Sequence, residues 1–516
     1  MQDSQTTITG SKLFITIAAM LSSLMAVLDI SIVNVAINDI RASFGVQVDQ
    51  IAWVSTGYMM ANVIVIPLTG WFQRRFGLRN YFIFSVLLFT FASLLCGMSW
   101  NLSSLTVFRI VQGLGGGAII PTASTLLMAR YPREQQGMAQ AFIGLGAITG
   151  PLLGPSLGGY LIEISTWHMI FLINIPFGLL AAFLAFRNIE EVQFVPHTSP
   201  FDYKGVALLV CGFGSLQYVI EEGNRRGWLE DNLIVFLSIV TVTCVVTFIV
   251  QQLESVHPMV NFRVFTNRNY ILCSIMNFFL GVCLFSASFL FSLFCGTLLH
   301  YSPLDIGLLF LKGCLIQVII MPIIGKIIPK VDGRILIVIG ILLVGTSIMI
   351  NAKLTQNTPN FDLILVLFVR SLGLASVFIP LSVIAIDQIP RKDFGNAIGL
   401  FNLTRELGGS IGLAIMSSSL VNRMHMFDEY LKSYLSADNP IMQNQMLVMK
   451  YMFYGNAADV DKTTNLYIQS RVTTQAYVQS FSLSFTILSF IFFASLILVL
   501  FMKRLNSQQA SIEILH

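Results

Sequence analysis

The chain has 516 residues, of which 55% are hydrophobic and only 11% are charged, and its formal net charge is +4. Soluble globular proteins are about a quarter charged, and disordered chains combine low hydrophobicity with high charge, so both classes are excluded. The apolar runs are continuous, which disfavours a transmembrane β-barrel with its alternating strands. The composition predicts an all-α membrane protein.

The apolar runs predict about fourteen transmembrane helices, because a helix needs about 20 residues to cross a bilayer core of about 30 Å. The expected spans are 13–37, 51–72, 79–98, 104–128, 135–160, 167–187, 204–222, 232–252, 270–296, 304–328, 333–352, 361–386, 395–420 and 478–503. An even number of spans places both termini on one side of the membrane.

Most Lys and Arg side chains lie in the termini and in the loops on the side of the N-terminus. The short loops opposite contain Arg41, Arg225, Arg226 and Lys353. The positive-inside rule therefore predicts that both termini are cytoplasmic. The small net charge gives no support for nucleic-acid binding, and the seven cysteines fall inside expected spans, so no disulfide framework is predicted.

The sequence contains an internal repeat. Residues 67–79 align without gaps on 322–334, and the run from Gly137 aligns on the run from Gly395. Both alignments place a span over the eighth span after it, whereas two six-helix halves would repeat at six. The extra two spans fall at 204–252, between the halves.

We therefore predict an N-terminal six-helix bundle over 1–190, two inserted helices with their linkers over 191–255, and a C-terminal six-helix bundle over 256–516. The C-terminal bundle includes a long outer loop, 421–477, whose first part is expected to extend span 13 as an amphipathic helix. Loops of this length are usually functional or disordered, so both a docking or gating role and a solvated loop stay open.

Charged and polar side chains within apolar spans mark candidate functional sites. Asp29 lies near the middle of span 1 with Asn34 close by, and Arg109 and Gln112 lie in span 4. A carboxyl group in a low dielectric favours its neutral form and can exchange a proton near neutrality. The alternative is a buried structural pair, with Arg109 as the partner of Asp29.

Span 13 carries a second group of polar side chains, Asn402, Arg405 and Glu406, of which Glu406 is another protonation candidate. Together with Asn34 and Gln112, Asn402 and Arg405 are expected to face the substrate cavity. Lys312 and Arg370 are also charged residues within spans, but both lie nearer the outer end and rank lower.

Two glycine-rich motifs complete the set. Span 5 contains a small-residue stripe with two prolines, which favours close helix contact and a bend: Gly150, Pro151, Gly154, Pro155, Gly158 and Gly159. The loop after span 2 combines glycines with basic residues that suit helix C-termini: Gly70, Arg74, Arg75, Gly77 and Arg79. The loop either latches the inward side or only sets topology.

Taken together, six segments resemble the fourteen-span drug:proton antiporters of the EmrB/QacA type, within the major facilitator superfamily. They are LDISIVNVAI (28–37), GWFQRRFGLR (70–79), RIVQG (109–113), GPLLGPSLGG (150–159), WHMIFLINIPFG (167–178) and NLTRELGGSIG (402–412). The resemblance covers nearly the whole chain. It departs from the family at Arg74, where an acid is usual, and at His168, where an Arg is usual.

The resemblance implies a major facilitator fold and proton-coupled multidrug efflux by alternating access, without a cofactor or a metal. It also implies a bacterial inner-membrane location, proton transfer at Arg109, an antiport role for the span 5 motif, and a periplasmic adaptor with an outer-membrane channel as partners.

The rival transport function is a proton symporter that imports a small solute. A channel is disfavoured because no span carries rings of charge. A membrane enzyme is disfavoured because the six histidines lie in loops or span ends without a partnered acid.

Overall fold

The computed structural model describes residues 7–9, 11–192, 201–433 and 457–503. Within these ranges the α-helices, in chain order, are α1 (Lys12–Phe44), α2 (Val48–Ile51), α3 (Trp53–Val65), α4 (Thr69–Phe76), α5 (Leu78–Gly97), α6 (Leu102–Arg130), α7 (Gln136–Ile164), α8 (Met169–Leu172), α9 (Asn174–Asn188), α10 (Tyr203–Glu222), α11 (Asn232–Glu254), α12 (Arg268–Leu298), α13 (Pro303–Ile327), α14 (Gly333–Asn351), α15 (Asn360–Ile386), α16 (Phe394–Ser433), α17 (Ala457–Ala494) and α18 (Leu496–Leu500). Short 3₁₀ helices span Ile66–Leu68, Arg133–Gln135, Trp228–Glu230, Phe262–Thr266 and Arg391–Asp393.

The helical membrane architecture is confirmed. Among the described residues, eleven helical stretches are long and apolar enough to cross a membrane. The other expected spans, 51–72, 135–160 and 395–420, coincide with α3–α4, α7 and the first part of α16. A 3₁₀ turn interrupts the first of these, so the count of fourteen stays a prediction that agrees with the helix positions.

One small element lies outside the all-α expectation. Strand β1 (Thr7–Thr9) pairs antiparallel with strand β2 (Glu190–Val192). This short sheet joins the segment before α1 to the segment that follows α9. Three-residue strands are too short to give a clear alternating pattern, and the sequence did not indicate them.

The packing of the helices repeats between the two halves of the chain. In the N-terminal half, α7 packs along α1, and in the C-terminal half α16 packs along α12 in the same way. The glycines of the repeat lie at both contacts. A Cβ atom on Gly150 would lie 2.8 Å from the Cβ of Val27, and one on Gly412 would lie 2.8 Å from the Cα of Val282. Glycine is therefore needed for these backbones to approach so closely.

The two halves meet at the end of the bundle where α1 begins, which we call the basic end. A Cβ atom on Gly70 would lie 2.7 Å from the backbone nitrogen of Asn396, and one on Gly137 would lie 2.7 Å from the carbonyl oxygen of Gly325. These contacts join α4 to α16 and α7 to α13, which are equivalent pairs under the internal repeat. The halves are thus closed against each other at this end.

Helices α10 and α11, which were predicted as an insertion, lie at the periphery of the described bundle. Helix α10 packs on α3 and α16, whereas the principal partner of α11 is α10. The outer face of α11 is apolar and exposed at Phe236, Ile239 and Val246. An exposed apolar face at the edge of a membrane bundle is the expected surface for lipid contact.

The outer segment is more helical than expected. Helix α16 continues to Ser433 as one helix of 40 residues, about 60 Å long at 1.5 Å per residue, which exceeds the bilayer core. The expected helical extension of span 13 is therefore confirmed. The last long helix begins at Ala457 rather than near residue 478, so much of the expected loop 421–477 is helix. Its middle, 434–456, lies outside the described residues.

Candidate functional site

The centre of the site is an ion pair between Asp29 of α1 and Arg109 of α6. Nη1 of Arg109 donates to Oδ2 of Asp29, and the two side chains are 1% and 0% exposed respectively. Helix α6 begins at an N-cap, where Asn101 accepts a hydrogen bond of 2.7 Å from the backbone of Ser104, and this start places Arg109 two turns into the helix. From this position in α6 the side chain of Arg109 reaches Asp29 on α1.

Neutral side chains complete the hydrogen bonding of this pair. Arg109 also donates to Oε1 of Gln112 (2.8 Å) and to the backbone oxygen of Val54 (3.1 Å). Oδ1 of Asp29 accepts from the amides of Gln112 and Asn174, each at 3.0 Å. A buried ion pair is tolerated only when such partners satisfy its remaining atoms. Protonation of Asp29 would leave the buried Arg109 without its counter-ion.

The ring of Tyr58 in α3 covers the pair. Its centre lies 4.2 Å from the guanidinium carbon of Arg109, and its hydroxyl donates to the carbonyl oxygen of Ala26 at 3.4 Å. A cation over an aromatic face is stabilised by the ring quadrupole. Tyr58 and Asn174 were not among the sequence candidates. The polar Asn174 within the apolar segment 167–178 was a usable signal, whereas Tyr58 had none.

Two of the residues expected in the substrate cavity are placed differently or lie beyond description. Gln112 does not face a cavity, because both atoms of its amide are used by the pair of Asp29 and Arg109. The sequence pattern gave its helix face but not this orientation. Asn34 lies within α1, and its side chain is outside the described residues.

A narrow chamber separates the halves on the other side of Tyr58. Two small cavities, each of about 20 Å³, share the side chains of Val27, Phe285, Arg405 and Glu406 as lining. A volume of this size holds one water molecule, whereas ligand sites usually measure about 300–1,000 Å³. The structure therefore represents a closed state in which a drug-sized molecule does not fit.

The C-terminal half supplies the charges of this chamber. Asn402, Arg405 and Glu406 of α16 line it. Nη2 of Arg405 donates to Oδ1 of Asn402 at 2.9 Å, and lies 4.0 Å from Oε1 of Glu406. The ring of Phe378 lies 5.5 Å from the guanidinium carbon of Arg405. This ion pair is long, and both charges face the space between the halves.

The lower-ranked intramembrane charges have different surroundings. Arg370 of α15 is 4% exposed and lies between Phe291 and Phe310, whose ring centres are 5.9 and 5.6 Å from its guanidinium carbon. Lys312 of α13 is exposed on the same helix face as Leu315, which is 59% exposed. Arg370 is thus a core cation next to the chamber, and Lys312 lies on the outside of the bundle.

The span 5 motif lies along α1 beside Asp29. A Cβ atom on Gly154 would lie 2.7 Å from the Cβ of Ser31, and one on Gly158 would lie 2.8 Å from Cγ1 of Ile32. Gly150 accepts a hydrogen bond from the hydroxyl of Ser31 at 3.3 Å. Gly159, Pro151 and Pro155 lie in the same helix, and the side chains of the two prolines are outside the described residues. The motif brings α7 into direct backbone contact with the helix that carries Asp29.

The loop motif forms the turn between α4 and α5 at the basic end. Gly77 adopts a φ of 85°, which few other residues tolerate. Nη2 of Arg79 donates to the carbonyl oxygen of Phe186 at 2.8 Å, and Nη2 of Arg74 donates to that of Met259 at 3.4 Å. Arg74 therefore links the N-terminal half to the segment that leads into α12, while Arg75 flanks it at the end of α4.

Comparison with known proteins identifies the family. The sequence profile of the Major Facilitator Superfamily matches residues 19–413. The chain is 31% identical to the multidrug export protein EmrB of Haemophilus influenzae, over 96% of both chains. It is 29% identical to the colistin resistance protein EmrB of Acinetobacter baumannii, over 94% of this chain and 95% of the other.

Two solved structures share the fold at 13% sequence identity. The human organic anion transporter MFSD10 superposes with a TM-score of 0.60, covering 95% of this chain and 99% of that one. The proton:xylose symporter XylE superposes with a TM-score of 0.52, covering 94% of this chain and 95% of that one. The chain belongs to the Major Facilitator Superfamily and is an EmrB-like transporter.

Proposed function

We propose that this protein exports hydrophobic or amphipathic compounds in exchange for protons, by alternating access. The buried pair of Asp29 and Arg109 carries the proposal. Ionisable side chains inside a membrane bundle have a high desolvation cost, and those that occur there usually mark a path for ions or protons. The relatives in EmrB-type multidrug export point to efflux as the direction of transport.

The charge pair gives the proposed mechanism. When the chamber opens to the inner side, Asp29 releases its proton and pairs with Arg109, and the closed structure retains this pair. When the chamber opens to the outer side, Asp29 takes up a proton and Arg109 has to move toward other acceptors. A proton that crosses the membrane potential supplies about 2.3 kcal/mol per 100 mV, and this energy drives the cycle. No bound cofactor is required.

The chamber on the other side of Tyr58 is the proposed substrate site. Arg405 and Glu406 supply opposite charges, and Phe285 supplies an apolar surface. Amphipathic compounds combine these two features. The backbone contact of Gly137 with Gly325 has to separate before a drug-sized molecule can enter from the basic end.

We further propose that the protein lies in the bacterial inner membrane with the basic end and both termini in the cytoplasm. This orientation places the extensions of α16 and α17 in the periplasm, where they would dock a membrane-fusion adaptor that leads to an outer-membrane channel. Exposed apolar side chains on the α16 extension, Val421 and Met426, support a contact surface. Replacing both with Glu is expected to abolish drug resistance of cells but to leave transport into inverted inner-membrane vesicles unchanged.

The function is tested by export of a panel of amphipathic compounds from cells with and without this protein. Efflux that requires the protein and stops when the proton gradient is collapsed supports the proposal. Accumulation of a solute together with protons in the cell would instead establish the symporter, and transport that does not saturate would establish a channel.

A further inference from the structure

The inserted helix α10 makes polar contacts with both halves of the transporter. Oε2 of Glu221 accepts a hydrogen bond of 3.0 Å from the hydroxyl of Thr56 in α3. One turn earlier, Nε2 of Gln217 donates to the hydroxyl of Ser410 in α16 at 3.5 Å. The same face of α10 therefore touches α3 of the N-terminal half and α16 of the C-terminal half.

The two adjacent carboxylates at the end of α10 are used differently. Glu222 is buried and binds Arg225 and Arg226, the second at 3.7 Å. Arg226 also pairs with Asp231 at 3.1 Å. None of the ion pairs found within the described ranges includes Glu221. Its carboxylate hydrogen-bonds instead to Thr56 on α3 and to Gln217 one turn earlier on α10, so the contact with Thr56 links it to α3.

Helix α3 lies between Glu221 and the charge pair. Thr56, at 2% exposure, faces α10. Val54 and Tyr58 face the other way and hold Arg109, through the carbonyl oxygen of Val54 and the ring of Tyr58. No residue of Trp53–Val65 is charged. A displacement of α3 therefore moves two of the groups that keep Arg109 against Asp29.

Resting on the proposed function, we propose that Glu221 is a positioning residue for the proton-exchange site. Its hydrogen bond to Thr56 holds α3 in the position where Val54 and Tyr58 fix Arg109. Without that bond, the cation is held less closely to Asp29 and stabilises its anionic form less.

The charged groups around Glu221 do not supply this effect by themselves. On its own helix and in the following turn, Glu222 faces Arg225 and Arg226, and Arg226 faces Asp231. On α16 the neighbouring contact is the neutral Ser410, with Arg405 and Glu406 further along the helix. Arg109 of α6 lies on the far side of α3, against Val54 and Tyr58. The path to the site is thus a hydrogen bond and a rigid helix.

The test is a pH titration of the carboxyl band in the infrared spectrum of the full-length protein in liposomes, with Asp29→Asn identifying the band. Thr56→Val and Glu221→Ala are each expected to raise the midpoint by about 0.5–1 pH unit, roughly three- to tenfold in proton affinity. The double variant is expected to shift no further, because both changes remove the same bond.

Matched controls separate positioning from general stability. Glu221→Gln keeps an acceptor oxygen and Thr56→Ser keeps the hydroxyl, so both are expected to retain the original midpoint. Glu222→Gln loses ion pairs and thermal stability but is expected to leave the midpoint unchanged. An unmoved midpoint in Glu221→Ala, additive shifts in the double variant, or a shift in Glu221→Gln equal to that of Glu221→Ala would each overturn the proposal.

A parallel measurement keeps the two proposals distinct. Proton-driven efflux of the hydrophobic dye Nile red from the same liposomes tests transport itself. Absence of that efflux in the unsubstituted protein contradicts the proposed function, whereas normal efflux with an unmoved carboxyl midpoint in both Thr56→Val and Glu221→Ala contradicts only the role of Glu221.

Discussion

Two ion pairs inside the described part of the helix bundle differ in how firmly they are held. In the N-terminal half, Asp29 and Arg109 are completed by amides and a carbonyl oxygen and lie behind Tyr58. In the C-terminal half, Arg405 and Glu406 are 4.0 Å apart and line the chamber. The enclosed pair of Asp29 and Arg109 suits proton exchange, because protonation of Asp29 removes the counter-ion of Arg109. The open pair of Arg405 and Glu406 lines the chamber, where both charges can contact a bound molecule.

The largest expected effect comes from breaking the closed pair. Asp29→Asn removes the negative charge opposite Arg109, which is 1% exposed. Breaking a buried pair is strongly unfavourable, so we expect proton-coupled export to fall by on the order of 100-fold. The measurement is uptake of Nile red by inverted vesicles energised with a proton gradient. Asp39→Asn, the same change at an exposed position of α1, is the control. Transport by Asp29→Asn at the unsubstituted rate removes Asp29 from coupling.

Removing a neutral support of the closed pair is expected to have a smaller effect. Asn174→Leu eliminates the donor to Asp29 at 3.0 Å and the donor to Ser93 at 3.1 Å. A hydrogen bond to a charged group contributes about 1.5–3 kcal/mol, so a loss of about tenfold in the export rate is expected. Asn188→Leu, at the end of the same helix, serves as the control. Equal losses in both variants would show that the effect is not specific to the pair.

The open pair is expected to respond in substrate affinity. Glu406→Gln leaves the bond of Arg405 to Asn402 in place but removes one charge from the chamber. We expect the apparent KM to rise roughly three- to tenfold with a smaller change in the maximal rate, as for a group that binds substrate. Glu429→Gln, on the exposed extension of α16, is the matched change. If the KM of Glu406→Gln is unchanged and its maximal rate collapses, Glu406 acts in proton coupling like Asp29 and not in substrate binding.

The smallest effect is expected at the ring between the two pairs. Tyr58→Phe removes a hydroxyl whose hydrogen bond to Ala26 is 3.4 Å long, near the limit for such a bond, and keeps the ring over Arg109. The export rate is expected to change less than about twofold, since long hydrogen bonds contribute little. Tyr58→Ala opens the pair to the chamber and is expected to reduce coupling far more. Similar rates for the two variants would show that the ring does not separate the sites.

The charged residues could be found from the sequence because an ionisable side chain in an apolar span is rare and costly. The geometry places Asp29 against Arg109 and Arg405 beside Glu406, and the helical extension of span 13 is confirmed. The sequence also gave the family and the fold. The functional roles of these residues stay predictions.

The remaining partners could not be predicted for physical reasons. Tyr58 differs little in sequence from ordinary interior residues, and its importance comes from the charge pair that it faces. The sequence places Gln112 on the same polar helix face as Arg109, but its hydrogen bond to Asp29 depends on how α6 packs against α1. The contact of Glu221 with Thr56 joins residues far apart in the chain, where no local pattern operates.

Proton release on substrate binding tests the central claim most directly. Nile red is added to the purified protein in a weakly buffered solution, and the pH change is recorded with an indicator dye. The account predicts that the unsubstituted protein releases protons and that Asp29→Asn releases almost none, while Glu406→Gln still releases them at higher dye concentration. Proton release by Asp29→Asn equal to that of the unsubstituted protein would contradict it.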